Sequence, residues 1–301
     1  MIVPSITPSL IEPYPRFPVS VEGIGITLAT IELGQVLAVD AVDTVVYVSE
    51  SPGQVLAVDA VDTVVYVSAD ALLLHDWKAY WAMTAATSAN EPDWSGNGRT
   101  LVQHGGCAFV STKWRTLDGA DDYFSLPSDS DLQLGDNART WWVTIRLTNK
   151  TNTQTVFAKH NGSTAAGSEY RLIYHQPSDR FVFEVYSGST TYSVTCTGIG
   201  SPTTGSDWLI RCTHDPDANV ITIAGSVGGT IGTVDSTSVS GGGNSTGIDF
   251  TIGADSLGAV RATALVTRCA IWGRILNARE GILLYNGGSG LLLYSSYSNS
   301  V

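Results

Sequence analysis

The sequence predicts an all-β fold: a two-sheet jelly-roll sandwich preceded by a proline-rich extended arm and a small duplicated β-hairpin region. Three observations carry this. Runs of seven to eleven residues rich in Val, Ile, Thr, Tyr, Phe and Trp recur along most of the chain. Turn-forming clusters separate them, and the chain holds 31 glycines. Hydrophobic residues make up 43% and charged residues only 15%, a composition that builds a core and excludes a disordered chain.

The elements follow in order. Residues 1–20 hold five of the eleven prolines (Pro4, Pro8, Pro13, Pro15 and Pro18), which favours extended backbone and forms no core of its own. A partner subunit is expected to order this arm. In 21–70 the segment GQVLAVDAVDTVVYVS occurs twice, starting at Gly34 and again at Gly53, a step of 19 residues. QVLAVDAV and TVVYVS read as two strands around an Asp-Thr turn, with Ser51-Pro52-Gly53 returning the chain to the second copy. Both faces of these strands are apolar. Two such hairpins cannot cover themselves and would be aggregation-prone if bare. One hairpin is expected to stack on its copy, and the pair to pack on the body or on a neighbouring subunit, the latter favoured. Val36, Val39, Val46, Tyr47, Val55, Val58, Val65 and Tyr66 are the expected assembly residues.

Residues 71–294 form the main body and 295–301 a C-terminal tail. Strands are expected at 140–148, 153–160, 169–176, 180–187, 191–198, 207–215, 219–227, 248–254 and 264–274. In RFVFEVYS, Phe181, Phe183 and Val185 oppose Val182, Glu184 and Tyr186; in TWWVTIRL, Trp141, Val143 and Ile145 oppose Trp142, Thr144 and Arg146. One face is the more apolar, as a sandwich requires. Only 276–288 has helical spacing, ended by Asn286-Gly287.

The body resembles the concanavalin A-like, laminin G-like jelly rolls over nearly all of 77–291. WKAYWAM opens it. EPDWSGNGRTL looks like the family's Asp-x-Ser-Gly-Asn-x-Gly loop, and LDGADDYFSLP like its Phe-Asp-Gly-x-Asp-Asp-Tyr-Val stretch. RTWWVTIRL resembles the strand that usually reads Phe-Thr-x-x-Trp-Val-Arg. AIWGRILNAREGILLYNGGSGL is similar to the closing strand, short helix and Leu-Tyr-Asn-x-Gly-x-Gly tail. The resemblance implies a sandwich that serves binders and enzymes alike.

Glycan-cleaving members, the laminarinase-like glucanases, resemble one another in a Glu-x-Asp-x-Glu strand. This chain has none: the glutamates of its body are Glu91, Glu169, Glu184 and Glu280, and Glu184 has Val182 and Tyr186 as same-face neighbours. The expectation is no catalytic residue and no enzyme. Asp118, Asp121 and Asp122 have two readings, Ca²⁺ ligands as in some laminin G-like modules or carboxylates capping turn amides; Asp93 and Asn97 have the same pair. Trp94 and Trp114 lie in loop contexts and are the candidate sugar-stacking side chains, whereas Trp77, Trp81, Trp141, Trp142 and Trp272 read as core. The five histidines read as surface or loop residues. Cys107, Cys196, Cys212 and Cys269 show no metal or redox spacing and read as buried thiols, with one cross-strand disulfide left open.

A net charge of −12 excludes nucleic acid as a partner. The proline-broken start is not a secretory signal and no segment is a membrane span. Together these features point to a non-enzymatic virion component, of a bacteriophage. It would be a decoration or fibre-type structural protein made in the host cytoplasm. It would be anchored or assembled as a homo-oligomer, such as a trimer, through its N-terminal region, with itself and other virion proteins as partners. The jelly roll would be exposed at the particle surface for glycan adhesion. The alternatives are a bacterial cell-surface glycan-binding module and a divergent glycoside hydrolase or lyase.

Overall fold

In the computed structural model of the 301-residue chain the residues described are 17–21, 26–31, 37–38, 44–49, 63–68, 76–85, 89–110, 114–228 and 230–285. The chain divides into two compact units, 1–75 and 76–301.

In the first unit, strands Phe17–Val21 and Ile26–Ile31 pair antiparallel, with a register shift between Phe17 and Val19. The shift falls at Pro18, which has no N–H to offer the ladder. Leu37–Ala38 pairs antiparallel with Thr44–Ser49, and Thr44–Ser49 lies parallel to Thr63–Ser68. Each residue of Thr44–Ser49 stands beside its counterpart in the second copy: Val46 beside Val65, Tyr47 beside Tyr66. The segment from residue 50 to residue 62 is long enough for the crossover that parallel pairing needs. Of the hairpin's first strand, Leu37–Ala38 is described. Val36, Val39, Val55 and Val58 lie outside the described residues, as do the arm 1–16 and the tail 295–301.

The second unit is a sandwich of two antiparallel sheets. The smaller runs, in spatial order, Thr190–Thr195, Arg180–Ser187, Tyr170–His175, Gln154–Lys159, Phe250–Ile252, Tyr123–Leu126, Val102–His104. The larger runs Thr230–Ile231, Val220–Val227, Trp208–Asp215, Arg139–Leu147, Thr263–Trp272, Trp114–Asp118, Phe109–Val110. Asp235–Ser238 joins it beside Val220–Val227, and Trp77–Trp81 beside Thr263–Trp272. The strand alternation puts Trp141, Val143, Ile145 and Leu147 of one sheet against Phe181, Phe183 and Val185 of the other. The Trp141 ring lies 4.6 Å from Tyr170 and 5.1 Å from Phe183, centroid to centroid. Each such side chain contributes about 1.5–3 kcal/mol by leaving water.

The alternation of strand Arg139–Leu147 does not end in a wet outer face. Trp142 and Thr144 are buried too. The chain crosses that face after the last strand: Thr140 Oγ1 donates to the Arg274 carbonyl at 2.8 Å and accepts from Leu276 N at 3.0 Å. The helix Ala278–Tyr285 follows. Its start is a reciprocal cap, with Asn277 Oδ1 accepting from Glu280 N and Glu280 Oε2 accepting from Asn277 N. Two expectations for polar and sulfur residues meet different outcomes. All four cysteines are free and buried. His160 and His214, expected at the surface, are buried instead. His214 Nδ1 shares a hydrogen bond with the Asn137 carbonyl, and this contact makes an interior position tolerable.

Gly105 occupies a left-handed turn, φ +69°, beside the aspartate loop. A Cβ there would stand 2.7 Å from the Asp121 carbonyl group, backbone that cannot swing aside. Gly105→Ala is expected to destabilise the protein by about 2 kcal/mol. Urea unfolding monitored by tryptophan fluorescence checks this.

Candidate functional site

The outer face of the smaller sheet presents a continuous row across all seven strands. The pairing register aligns Ser193, Glu184, Arg171, Ala158, Thr251, Ser125 and Val102. The loop 253–262 leaves and returns at one point, where Ala262 N donates to the Gly253 carbonyl at 2.8 Å. It is tied to the middle of the row. Thr251 Oγ1 donates to the Ala254 carbonyl at 2.6 Å, Ser256 N to the His160 carbonyl at 2.9 Å, and Ser256 Oγ to the Asp249 carbonyl at 2.8 Å. The Asp255 carboxylate accepts from the amides of Leu257, Ala259 and Val260 and so shapes the loop from within. Ala158 and Thr251 are buried, while Leu257 stands 72% exposed. Two polar flanks remain.

On the first flank, Arg171 Nε donates to Glu184 Oε2 at 2.6 Å, and Tyr186 Oη donates to the same oxygen at 2.5 Å. The His160 ring lies 5.2 Å from that of Tyr186. His160 Nδ1 accepts from Gly162 N at 2.9 Å, so the neutral ring carries its proton on Nε2. Burial, then the Arg171 charge, pulls His160 down to about 4. Burial and the Glu184 charge push the Tyr186 phenol well above its ordinary range, so it stays protonated and serves as a donor. Thr191 and Ser193 lie exposed on the edge strand alongside. On the second flank the rings of Tyr123 and His104 stack at 4.2 Å, and His104 Nε2 lies 2.8 Å from Ser125 Oγ. Arg261 faces Tyr123 across Gly258, where a Cβ would touch both.

The residues singled out from sequence lie elsewhere. Trp94 is 40% exposed, in the loop after strand Trp77–Trp81. Asp93 in that loop accepts from the amides of Tyr80, Ser95 and Arg99, and Asn97 Nδ2 donates to the carbonyls of Trp77 and Lys78. These two residues do turn chemistry that fastens the loop to the strand. Trp114 corrects an expectation. It begins a strand, is 3% exposed, and has the Arg146 guanidinium 4.8 Å from its ring centroid, so it offers no face to a sugar. Asp118, Asp121 and Asp122 do come together, with carboxylate oxygens within 4.8 Å of one another. Asp118 Oδ1 accepts from the amides of Ala120, Asp121 and Asp122, which lowers its carboxyl below the ordinary range. Asp122 Oδ1 accepts from Gly106 and Cys107. Turn capping therefore employs one oxygen each of Asp118 and Asp122. The set is all hard oxygen, which suits Ca²⁺. None of these residues belongs to the seven-strand row. The row was hidden in the sequence because Arg171 and Glu184 are thirteen residues apart and meet only through strand register.

No protein-family model matches the chain, and no curated protein matches its sequence. Solved structures do resemble it. The botulinum neurotoxin serotype D binding domain superposes with a TM-score of 0.53 at 11% identity, over 73% of this chain and 53% of that one. A mutant of HCR/D gives 0.52 at 12% identity, over 72% and 52%. The CBM40 of a Ruminococcus gnavus IT-sialidase, bound to α2,3-sialyllactose, gives 0.39 at 12% identity, over 48% and 80%. The chain spans about half the length of the first two. Those two likenesses show the fold: a two-sheet β-sandwich.

Proposed function

We propose that the second unit is a non-enzymatic glycan-binding module, and that the first unit anchors or oligomerises it on a particle surface, as in a virion structural or decoration protein. The observation that carries the binding half is the Arg171–Glu184–Tyr186 network. It sets a planar guanidinium and a carboxylate on rigid neighbouring strands of the outer sheet face, with the buried Tyr186 phenol holding the carboxylate in place. Arg171 and Glu184 side chains are 22% and 12% exposed, held by each other yet reachable. A polyhydroxyl ligand needs such preoriented donors and acceptors, and strands lose no ordering entropy when they supply them. The hydroxyls of Thr191 and Ser193 extend the surface.

The neighbours of Glu184 argue against hydrolysis by a carboxylate pair. Its partners are a guanidinium and a phenol rather than a second carboxylate at the spacing of a retaining or inverting pair. The anchoring half draws on the first unit. Strand Thr63–Ser68 ends its sheet, and among the described residues no strand covers its outer edge. An uncovered strand of this composition is a template for another chain.

A glycan array read with and without a chelator tests the binding half, followed by titration of any hit. Arg171→Ala and Glu184→Gln are expected to weaken binding about tenfold or more while leaving the unfolding transition in place. An array without hits, or an Arg171→Ala variant binding as wild type, overturns it, and release of reducing sugar overturns the non-enzymatic reading. Loss of binding with chelator shows that a divalent cation is required, and an Asp121→Asn variant that loses the metal dependence assigns the ion to Asp118, Asp121 and Asp122. A strictly monomeric mass at micromolar concentration overturns the anchoring half.

A further inference from the structure

The helix Ala278–Tyr285 does not seal the outer face of the larger sheet. Between them lies an open pocket of about 230 Å³. Its floor is Trp142 and Leu209, its far wall is Leu284 of the helix, and its rim is Ile231, Val234 and Ile282. The rim residues are 47%, 51% and 58% exposed, a degree of apolar exposure that a closed surface avoids. One cation enters this lining: Arg211.

Among the described residues Arg211 has few partners. Its guanidinium makes one long hydrogen bond, Nη1 to the Asn277 carbonyl at 3.4 Å. The nearby carboxylate, Glu280, is already engaged: Arg274 holds both its oxygens, at 2.9 and 2.6 Å, and Asn277 donates to Oε2 from N and Nδ2. Gly281 leaves the space the guanidinium occupies, because a Cβ there would collide with Nη1. Ser226 adds one hydroxyl to the lining. A guanidinium has five donors, and burial without an acid penalises its charge.

We propose that this pocket binds a small apolar carboxylic acid, its carboxylate on Arg211 and its hydrocarbon body between Trp142, Leu209 and Leu284. Charge complementarity sets the head group. The volume lies below the range of about 300–1,000 Å³ usual for drug-sized ligands, which sets the size at a medium-chain or single-ring acid. An oligosaccharide fits neither the apolar walls nor the volume, so this site is separate from the sheet face proposed above.

The test uses the full chain with octanoate as probe and 1-octanol as the same chain without the charge, followed by calorimetry and tryptophan fluorescence at neutral pH. Wild type is expected to prefer octanoate by about tenfold to a hundredfold. Arg211→Met is expected to abolish that preference while still binding octanol, which shows that the pocket has survived. Gly281→Leu, projecting into the space beside Arg211, is expected to weaken octanoate. Equal binding of octanoate and octanol to wild type overturns the proposal, as does undiminished octanoate binding by Arg211→Met. Should Arg211→Met bind neither probe, Arg211→Lys decides: it keeps the cation, and failure to restore the octanoate preference counts against the proposal. Octanoate binding that arises only after deletion of 286–301 overturns it as well, since the chain's own tail would then be the occupant.

Discussion

Glu169→Ala is expected to cost about 3–5 kcal/mol of folding stability. Glu169 and Lys159 are both 0% exposed, with Nζ 3.5 Å from Oε1. The carboxylate also accepts from Leu134 N at 2.7 Å, from Thr246 N at 2.7 Å and from Thr246 Oγ1 at 2.8 Å. It therefore fastens two separate loops to one strand of the smaller sheet. Lys159 Nζ has the Ile248 carbonyl at 2.9 Å as a further partner, and burial pulls its ammonium below the usual lysine range. Without Glu169 that ammonium is a desolvated charge held by a carbonyl, and two backbone amides lose their acceptor. Glu169→Gln keeps an acceptor for only one of the two amides, because Leu134 N uses Oε2 and Thr246 N uses Oε1, and should lose somewhat less than Glu169→Ala. The double variant Lys159→Met/Glu169→Leu separates the two costs. Were the ion pair all that mattered, an apolar replacement would recover most of the stability. With Leu134 N and Thr246 N unpaired, a deficit of about 2 kcal/mol or more should persist. Guanidinium unfolding of the four proteins measures this; full recovery in the double variant would sink the two-loop account.

Acidification from pH 6.5 to pH 4 is expected to remove up to about 3 kcal/mol of stability through His160. Its pKa is lowered from the ordinary 6.5 to about 4, chiefly by burial and then by Arg171. The unfolded chain takes up its proton near pH 6.5, whereas the folded chain resists until about 4. In that window the unfolded state binds more protons, so stability is fully present above 6.5 and declines as pH falls through the folded value. His214, also lowered by burial, acts in the same direction. His160→Asn retains an acceptor for Gly162 N and removes the titration, so its unfolding free energy should vary less over this range. Parallel slopes for wild type and His160→Asn would show that His160 does not carry the effect. Because His160 sits beside Tyr186 and the row, ligand affinity on the first flank should weaken only as the pH approaches about 4, where the folded chain takes up the proton.

The strands were readable because alternation is a local property. RFVFEVYS displays its buried and outer faces within eight residues, and the observed strand Arg180–Ser187 coincides with the reading. The helix was also readable from the spacing of 276–288, within which Ala278–Tyr285 is helical. Trp114 was misread because Thr-Lys-Trp looks like a loop in a one-dimensional window, whereas sheet pairing makes it the first residue of a strand under Arg146. His160 was misread because a side chain's burial depends on what folds over it, here the loop 253–262.

The sequence by itself determined the all-β class, most strand positions beyond residue 139, and the burial of Trp77, Trp81, Trp141, Trp142 and Trp272. Periodicity and turn chemistry act between residues a few places apart, so they are written in the chain order. Only the tertiary structure decided the candidate sites. Arg171 reaches Glu184, and Lys159 reaches Glu169, through strand register and loop return. Among the described residues Arg211 is left without an acid because Glu280 is taken by Arg274. Each outcome depends on which of several available partners comes nearest in space, and that competition is settled by packing over distances that no local pattern encodes.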